Sequence, residues 1–175
     1  QTQTAATRAA ESAVRTGRSL HLKHGRGRPP RADCRSFGEG QRLHAEAFVE
    51  VAGSDRVTFI PFALADWDGY LHQVATAFDG LGIEVESAHN ASSPRDAILN
   101  ADVVLMGGGN TFRLLDTLQK LDLIVPLAQH VREGRTRYMG ASAGTNVACA
   151  TIRTTNDMPI VHPATSVALW LLPFQ

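Results

Sequence analysis

Asp102-Val-Val-Leu-Met-Gly-Gly-Gly-Asn-Thr-Phe112 is the stretch that decides how this chain folds. Residues 102–106 are almost continuously apolar, the pattern of a strand buried on both faces. Three glycines and an asparagine follow, and helical spacing then runs from Thr111 to Lys120. A buried strand that breaks at glycine and passes into a helix is the repeating unit of a parallel sheet. The helix carries the chain back over the sheet, so that the next strand starts in the same direction.

The same alternation extends to both sides. Downstream, a second helix runs from about Leu123 through Val131 and closes at Gly134. Thr136-Arg-Tyr-Met139 is the next strand candidate, and Gly140-Ala-Ser-Ala-Gly144 follows at once. Upstream, Ser93-Pro-Arg-Asp opens a helix with proline in its first turn, reaching Ala101. Gly82-Ile-Glu-Val-Glu86 alternates as a short strand. Asp66 is placed to cap a helix ending at Phe78, with Trp67, Tyr70, Leu71, Val74 and Phe78 as its apolar stripe. Arg56-Val-Thr-Phe-Ile-Pro-Phe-Ala63 reads as a buried strand with Pro61 near its end, and residues 43–51 show helical spacing closed by a turn at Gly53. These elements predict a three-layer α/β sandwich with a mainly parallel sheet. Ligands of such folds sit outside the carboxyl ends of the strands, where both glycine-rich segments fall.

This α/β domain covers about residues 38–175. Residues 1–37 read differently. They hold eight basic side chains up to Arg35 against only Glu11 and Asp33, with almost no apolar periodicity. A run such as His24-Gly-Arg-Gly-Arg-Pro-Pro-Arg31 buries too little apolar surface to offset the entropy of ordering it. A disordered tail is the plainest expectation. An Arg-rich transit peptide and a start foreign to the fold are the other two readings.

Composition narrows the function. The chain has 175 residues, 43% of them hydrophobic and 19% charged, which describes a globular domain. Seventeen basic and seventeen acidic side chains cancel, so neither nucleic acid nor an acidic membrane is an expected partner. No apolar run approaches the roughly 20 residues needed to span a bilayer. Cys34 and Cys149 lack metal-ligand spacing and form no disulfide framework. A reducing, cytoplasmic setting without metal or cofactor is expected.

Gly140-Ala-Ser-Ala-Gly144 matches Gly-x-Ser-x-Gly, and Ser142 is the candidate nucleophile. A serine at a sharp strand-to-helix turn is held in a strained backbone, and bulky neighbours would clash with the flanking elements. The bland alternative is a tight turn of small residues. Gly107-Gly-Gly-Asn110 lets the backbone approach a ligand with its amides free. It lacks the Lys-Ser/Thr ending of a phosphate loop and the spacing of a dinucleotide fingerprint. An oxyanion hole and substrate site built from Gly108, Gly109 and Asn110 with the amide of Ala143 fits better, at about 3 kcal/mol per donor in the transition state. Thr154-Thr-Asn-Asp-Met-Pro159 is a polar loop in which Asp157 either orients a base, binds a substrate amine, or simply makes a turn.

Together these segments resemble peptidase E, the α-aspartyl dipeptidase family of serine peptidases. The marks are Phe59-Ile-Pro-Phe-Ala63, Gly107-Gly-Gly-Asn-Thr-Phe112, Gly140-Ala-Ser-Ala-Gly144 and Thr151-Ile-Arg-Thr-Thr-Asn-Asp-Met-Pro-Ile-Val161. The resemblance implies a fold like that of the class I glutamine amidotransferases (flavodoxin-like). It also implies metal-free hydrolysis of Asp-X dipeptides through an acyl-enzyme, with Ser142 as nucleophile and Asp157 as an active-site aspartate. Two departures stand out. Nothing in residues 1–35 resembles the family's first apolar strand. The family's catalytic histidine lies in an Asn-Pro-His segment after the point matching Gln175, as do further strands and an arginine that holds the aspartyl side chain. The domain is therefore expected to be C-terminally truncated.

A serine hydroxyl needs a positioned base. His162, five residues after Asp157, is the nearest substitute, while His130 and His72 fall on predicted helix surfaces. Arg153 is the nearest local cation. Two readings stay open: a serine dipeptidase, and a catalytically inactive relative that binds an acidic peptide or protein partner. A glutamine amidotransferase would need cysteine at position 142, and the vocabulary around residues 107–110 and 154–159 is not that of an esterase. A sheet lacking its last strands leaves an open edge, with Trp170, Leu171, Leu172 and Phe174 nearby. Pairing with another chain as a homo-oligomer is the expected consequence.

Overall fold

The computed structural model describes residues 52–173. The basic tail 1–37, the helix expected over 43–51 and Phe174 lie outside the described residues. In order, the elements are β1 (Arg56–Ile60), α1 (Trp67–Phe78), β2 (Glu84–Ser87), α2 (Pro94–Leu99), β3 (Val103–Met106), α3 (Thr111–Lys120), α4 (Ile124–Arg132), β4 (Arg137–Gly140) and α5 (Ala143–Ala148). The four strands lie in the order β2-β1-β3-β4, and every pairing is parallel.

Strand alternation sorts the core into two faces. Val57 and Phe59 of β1 and Val103 of β3 pack with Val74 and Phe78 of α1. Ile60, Val104 and Met106 point the other way, into a larger cluster with Leu114 and Leu118 of α3, Leu127 of α4 and Val147 of α5. Helices thus cover both faces, which makes the three layers. Each such side chain contributes about 2 kcal/mol by leaving water.

Helix starts follow the sequence closely. Asp66 Oδ1 accepts from the Gly69 amide at 2.9 Å, Ser93 Oγ from Asp96 at 3.3 Å, and Asn110 Oδ1 from Arg113 at 3.0 Å. Each cap satisfies a helix-end donor and is worth about 1 kcal/mol. Strand β2 starts two residues later than its alternation suggests. Gly80 and Gly82 have φ of 74° and 72° and are used in the turn, after which the Glu84 amide bonds Asp55 O at 2.7 Å.

Trp67 also departs from the expected stripe. By spacing it lies on the face of Val74 and Phe78, but it is exposed and does not join their cluster. It meets the residues that follow the strands: Phe62 at 5.3 Å and His89 at 5.7 Å between ring centroids, and Leu64 O through its indole N–H. After α5 the described residues run on to 173 without helices. Ile152, Ala168 and Leu169 are buried in the larger cluster, Leu171 and Leu172 are half-buried, and Trp170 is exposed. Among the described residues the outer edge of β4 is unpaired.

Candidate active site

The turn from β4 into α5 has almost no free space. A β-carbon on Gly140 would lie 2.6 Å from the carbonyl carbon of Gly144, and one on Gly144 would collide with the carbonyl oxygen of Met106. Both motif glycines are therefore required by backbone-to-backbone contact. Thr145 Oγ1 donates to Gly140 O at 2.9 Å, and the Tyr138 hydroxyl donates to Gly144 O at 2.5 Å, closing the turn from two sides. Burial, with Cys149 a lesser cause, pushes the Tyr138 phenol up, so it remains a donor.

Between the two glycines sits Ser142, with φ 50° and ψ −107°. A non-glycine residue there costs about 1–3 kcal/mol and persists only because its surroundings impose it. The side chain is exposed and caps nothing. A strained serine at a strand-to-helix turn is the arrangement that a nucleophile elbow requires.

The triglycine loop faces it. A β-carbon on Gly108 would lie 3.1 Å from Ser142 Cβ and 3.8 Å from Ser142 Oγ, so only a residue without a side chain leaves the serine accessible. Amide accounting then sorts the loop. The Gly107 amide bonds Ile60 O at 3.0 Å, the Gly108 amide bonds the Tyr70 hydroxyl at 2.8 Å, and the Asn110 amide bonds Ala63 O at 2.9 Å. The amides of Gly109 and Ala143 have no acceptor among the described residues. Gly109 has φ +134°, which favours glycine, and a β-carbon there would meet Ala63 O at 2.7 Å. Asn110 is committed through its side chain as well: it caps α3 and donates from Nδ2 to Met158 O at 2.8 Å.

Asp157 lies over the start of α3. Its Oδ2 accepts from the Thr111 amide at 2.7 Å and from Thr111 Oγ1 at 2.5 Å. Burial raises its carboxyl, but the Thr111 hydroxyl and amide and the Thr155 hydroxyl outweigh this and hold it below the usual value. Thr111, fully buried, uses its whole capacity: it donates to Asp157 and accepts from Asn146 Nδ2 and Thr155 Oγ1, each at 3.1 Å. Asn146 stands one turn after Ser142, with its own amide on Ser142 O at 3.0 Å. The loop at 154–159, α3 and the serine-bearing helix are thereby tied at one threonine. Composition hides this knot, because a threonine after an asparagine cap reads as an ordinary helix start.

None of the described histidines is hydrogen-bonded to Ser142. His72 and His162 are exposed, and Arg153 is exposed too. His130 is half-buried rather than on the surface, because its Nδ1 pairs with Leu99 O at 2.9 Å. His89, which the motifs do not reveal, sits between Ser87 Oγ (2.6 Å from Nδ1) and Asp68 Oδ1 (3.0 Å from Nε2). This array follows β2, three strand spacings of about 4.8 Å from β4, and is out of reach of Ser142.

Among the described residues no group of three or more His, Cys, Asp or Glu side chains is gathered to hold a metal, and no helix is long and apolar enough to cross a membrane.

A family model, Peptidase family S51, matches residues 36–175. The chain is 48% identical over 140 residues to peptidase E of Streptomyces coelicolor, covering 79% of this chain and 57% of that protein. It is 43% identical over 136 residues to peptidase E of Shewanella oneidensis, covering 75% and 57%. The chain thus spans little more than half the length of these relatives. A solved structure of a candidate peptidase E protein from Listeria monocytogenes EGD-e superposes with a TM-score of 0.60 at 26% identity, covering 74% of this chain and 70% of that one. A peptidase from an acI-B1 Actinobacterium shares the fold, with a TM-score of 0.50 at 17% identity over 77% and 59%. The sheet is of the flavodoxin-like, glutamine amidotransferase-like kind, and this chain belongs to peptidase family S51.

Proposed function

We propose that this chain carries the nucleophile and oxyanion hole of a serine dipeptidase acting on dipeptides with an N-terminal aspartate. The observation that supports it is the strained, exposed Ser142 beside two unclaimed amides, Gly109 and Ala143. In this reading Ser142 Oγ attacks the scissile carbonyl carbon. The oxyanion settles between the two amides, each worth about 3 kcal/mol in the transition state. Collapse expels the amine of the second residue, and water then releases aspartate from the acyl-enzyme.

Asp157 is anchored by Thr111, and its remaining acceptor capacity serves an imidazole or the substrate's α-amine. The proton acceptor for Ser142 is assigned to the Asn-Pro-His segment that the resemblance places after Gln175. Without such a base, only the roughly 10³–10⁴-fold acceleration from oxyanion hole and binding is expected.

The absence of a histidine on Ser142 among the described residues favours a second reading, a relative that binds an acidic peptide without cleaving it. Chromatography of Asp-Leu incubations, run beside calorimetric titration with the same dipeptide, separates the two. Free aspartate that disappears in Ser142→Ala supports the hydrolase. Binding without aspartate release supports the second reading, and neither binding nor release sinks both.

A further inference from the structure

The triglycine loop has no side chains of its own to hold its shape. Of its four consecutive amides, from Gly107 to Asn110, those of Gly107 and Asn110 are held by backbone carbonyls, and that of Gly108 is held by a side chain from another element, the phenol of Tyr70 at 2.8 Å. The ring is itself fixed. It stands edge-on to Phe59, with centroids 4.9 Å apart and planes at 85°. It rests directly on the loop: a β-carbon on Gly107 would lie 2.7 Å from Tyr70 Cε1 and 2.9 Å from its oxygen. On the opposite side of the same residue pair, the position of a Gly108 β-carbon faces Ser142 at 3.1 Å. The loop is therefore clamped between the tyrosine behind it and the serine in front.

From this arrangement we infer that Tyr70 is a positioning residue, whose hydroxyl turns the Gly108 amide away from the reacting centre and leaves the Gly109 amide as the loop's oxyanion donor. The inference rests on reading Ser142 as the nucleophile. A phenol suits the task because it accepts the amide hydrogen without bringing a charge near the developing oxyanion. Burial pushes the phenol's pKa up and the Gly108 amide pulls it down, with a net rise, so the group is neutral at ordinary pH. A carboxylate at the same place would oppose the negative charge forming a few ångströms away.

Tyr70→Phe keeps the ring and removes only the acceptor. Two readouts on the full chain test the inference: hydrogen exchange of the glycine amides by ¹⁵N NMR, and the rate of covalent labelling of Ser142 by a fluorophosphonate. In the variant, Gly108 exchange should speed up at least tenfold, with the rest of the amide spectrum preserved. Labelling should slow at least tenfold in its maximal rate, while the probe concentration for half-maximal rate stays within twofold. Unchanged Gly108 exchange, or labelling within twofold of wild type, overturns the inference. If the wild-type chain is not labelled at all, the reading of Ser142 as an activated nucleophile in this chain fails on its own. The Gly108 comparison then still decides whether Tyr70 holds the loop.

Discussion

Two serines stand at the carboxyl ends of strands in this sheet, and they have opposite equipment. Ser87, at the end of β2, has a histidine and an aspartate in line with it but is 7% exposed, with ordinary extended backbone at φ −100°, ψ 132°. Ser142, after β4, has no histidine bonded to it among the described residues, yet it is exposed, strained and flanked by unclaimed amides. Among the described residues a histidine thus stands beside the serine that nothing can approach, and none is bonded to the serine that a carbonyl could reach. A nucleophile is marked by its backbone and by the donors waiting around it, since those cannot be assembled by chance contact of polar side chains.

The sharpest way to break this contrast is to exchange the serines' fates. Ser142→Ala should abolish fluorophosphonate labelling and, with the histidine base in place, lower dipeptide hydrolysis on the order of 10⁶-fold, the usual cost of deleting such a nucleophile. Ser87→Ala should leave both within about twofold. Labelled peptide containing Ser87 would reverse the assignment.

The rigidity of the Ser142 turn is tested next. Gly144→Ala drives a methyl into the Met106 carbonyl and should cost about 3 kcal/mol in urea unfolding. Gly82→Ala meets nothing within 4 Å and should cost only about 1 kcal/mol, from its positive φ.

The knot behind the site should have an intermediate effect. Thr111→Val strips a donor from Asp157 and an acceptor from Asn146 and Thr155, for about 1–3 kcal/mol of lost stability. Its pH signature has a definite sign. The Asp157 carboxyl is depressed in the folded chain, so its contribution is complete above about pH 4 and is lost as pH falls through the lower folded value. Asp157→Asn should remove that part of the acid sensitivity, seen as a smaller drop in melting temperature between pH 6 and pH 3. The smallest effect belongs to the other serine's array. Asp68 is 88% exposed, so Asp68→Asn should change stability by less than about 1 kcal/mol.

The parts of the molecule that were readable in the sequence are those governed by local rules. Apolar runs at 56–60 and 103–106 became central strands, and Asp66, Ser93 and Asn110 became caps, because periodicity and capping act within a few residues. The Gly-x-Ser-x-Gly turn was legible for the same reason. The Tyr70–Gly108 bond joins residues 38 apart, and Thr111–Asp157 joins residues 46 apart. No local pattern announces such pairs. Tyr70 reads simply as part of an apolar stripe, and its hydroxyl acquires meaning only when α1 is laid against the end of β3. The division of labour among Gly108, Gly109 and Asn110 was hidden likewise, since it depends on which carbonyls lie opposite each amide.

The most direct test of the site is a crystal structure of the chain treated with a phosphonate that mimics the tetrahedral intermediate. Phosphorus should be bonded to Ser142 Oγ, with one phosphoryl oxygen about 3 Å from both the Gly109 and Ala143 nitrogens and the Gly108 amide still on Tyr70. A phosphoryl oxygen turned to solvent, or phosphorus found on any other residue, would contradict it.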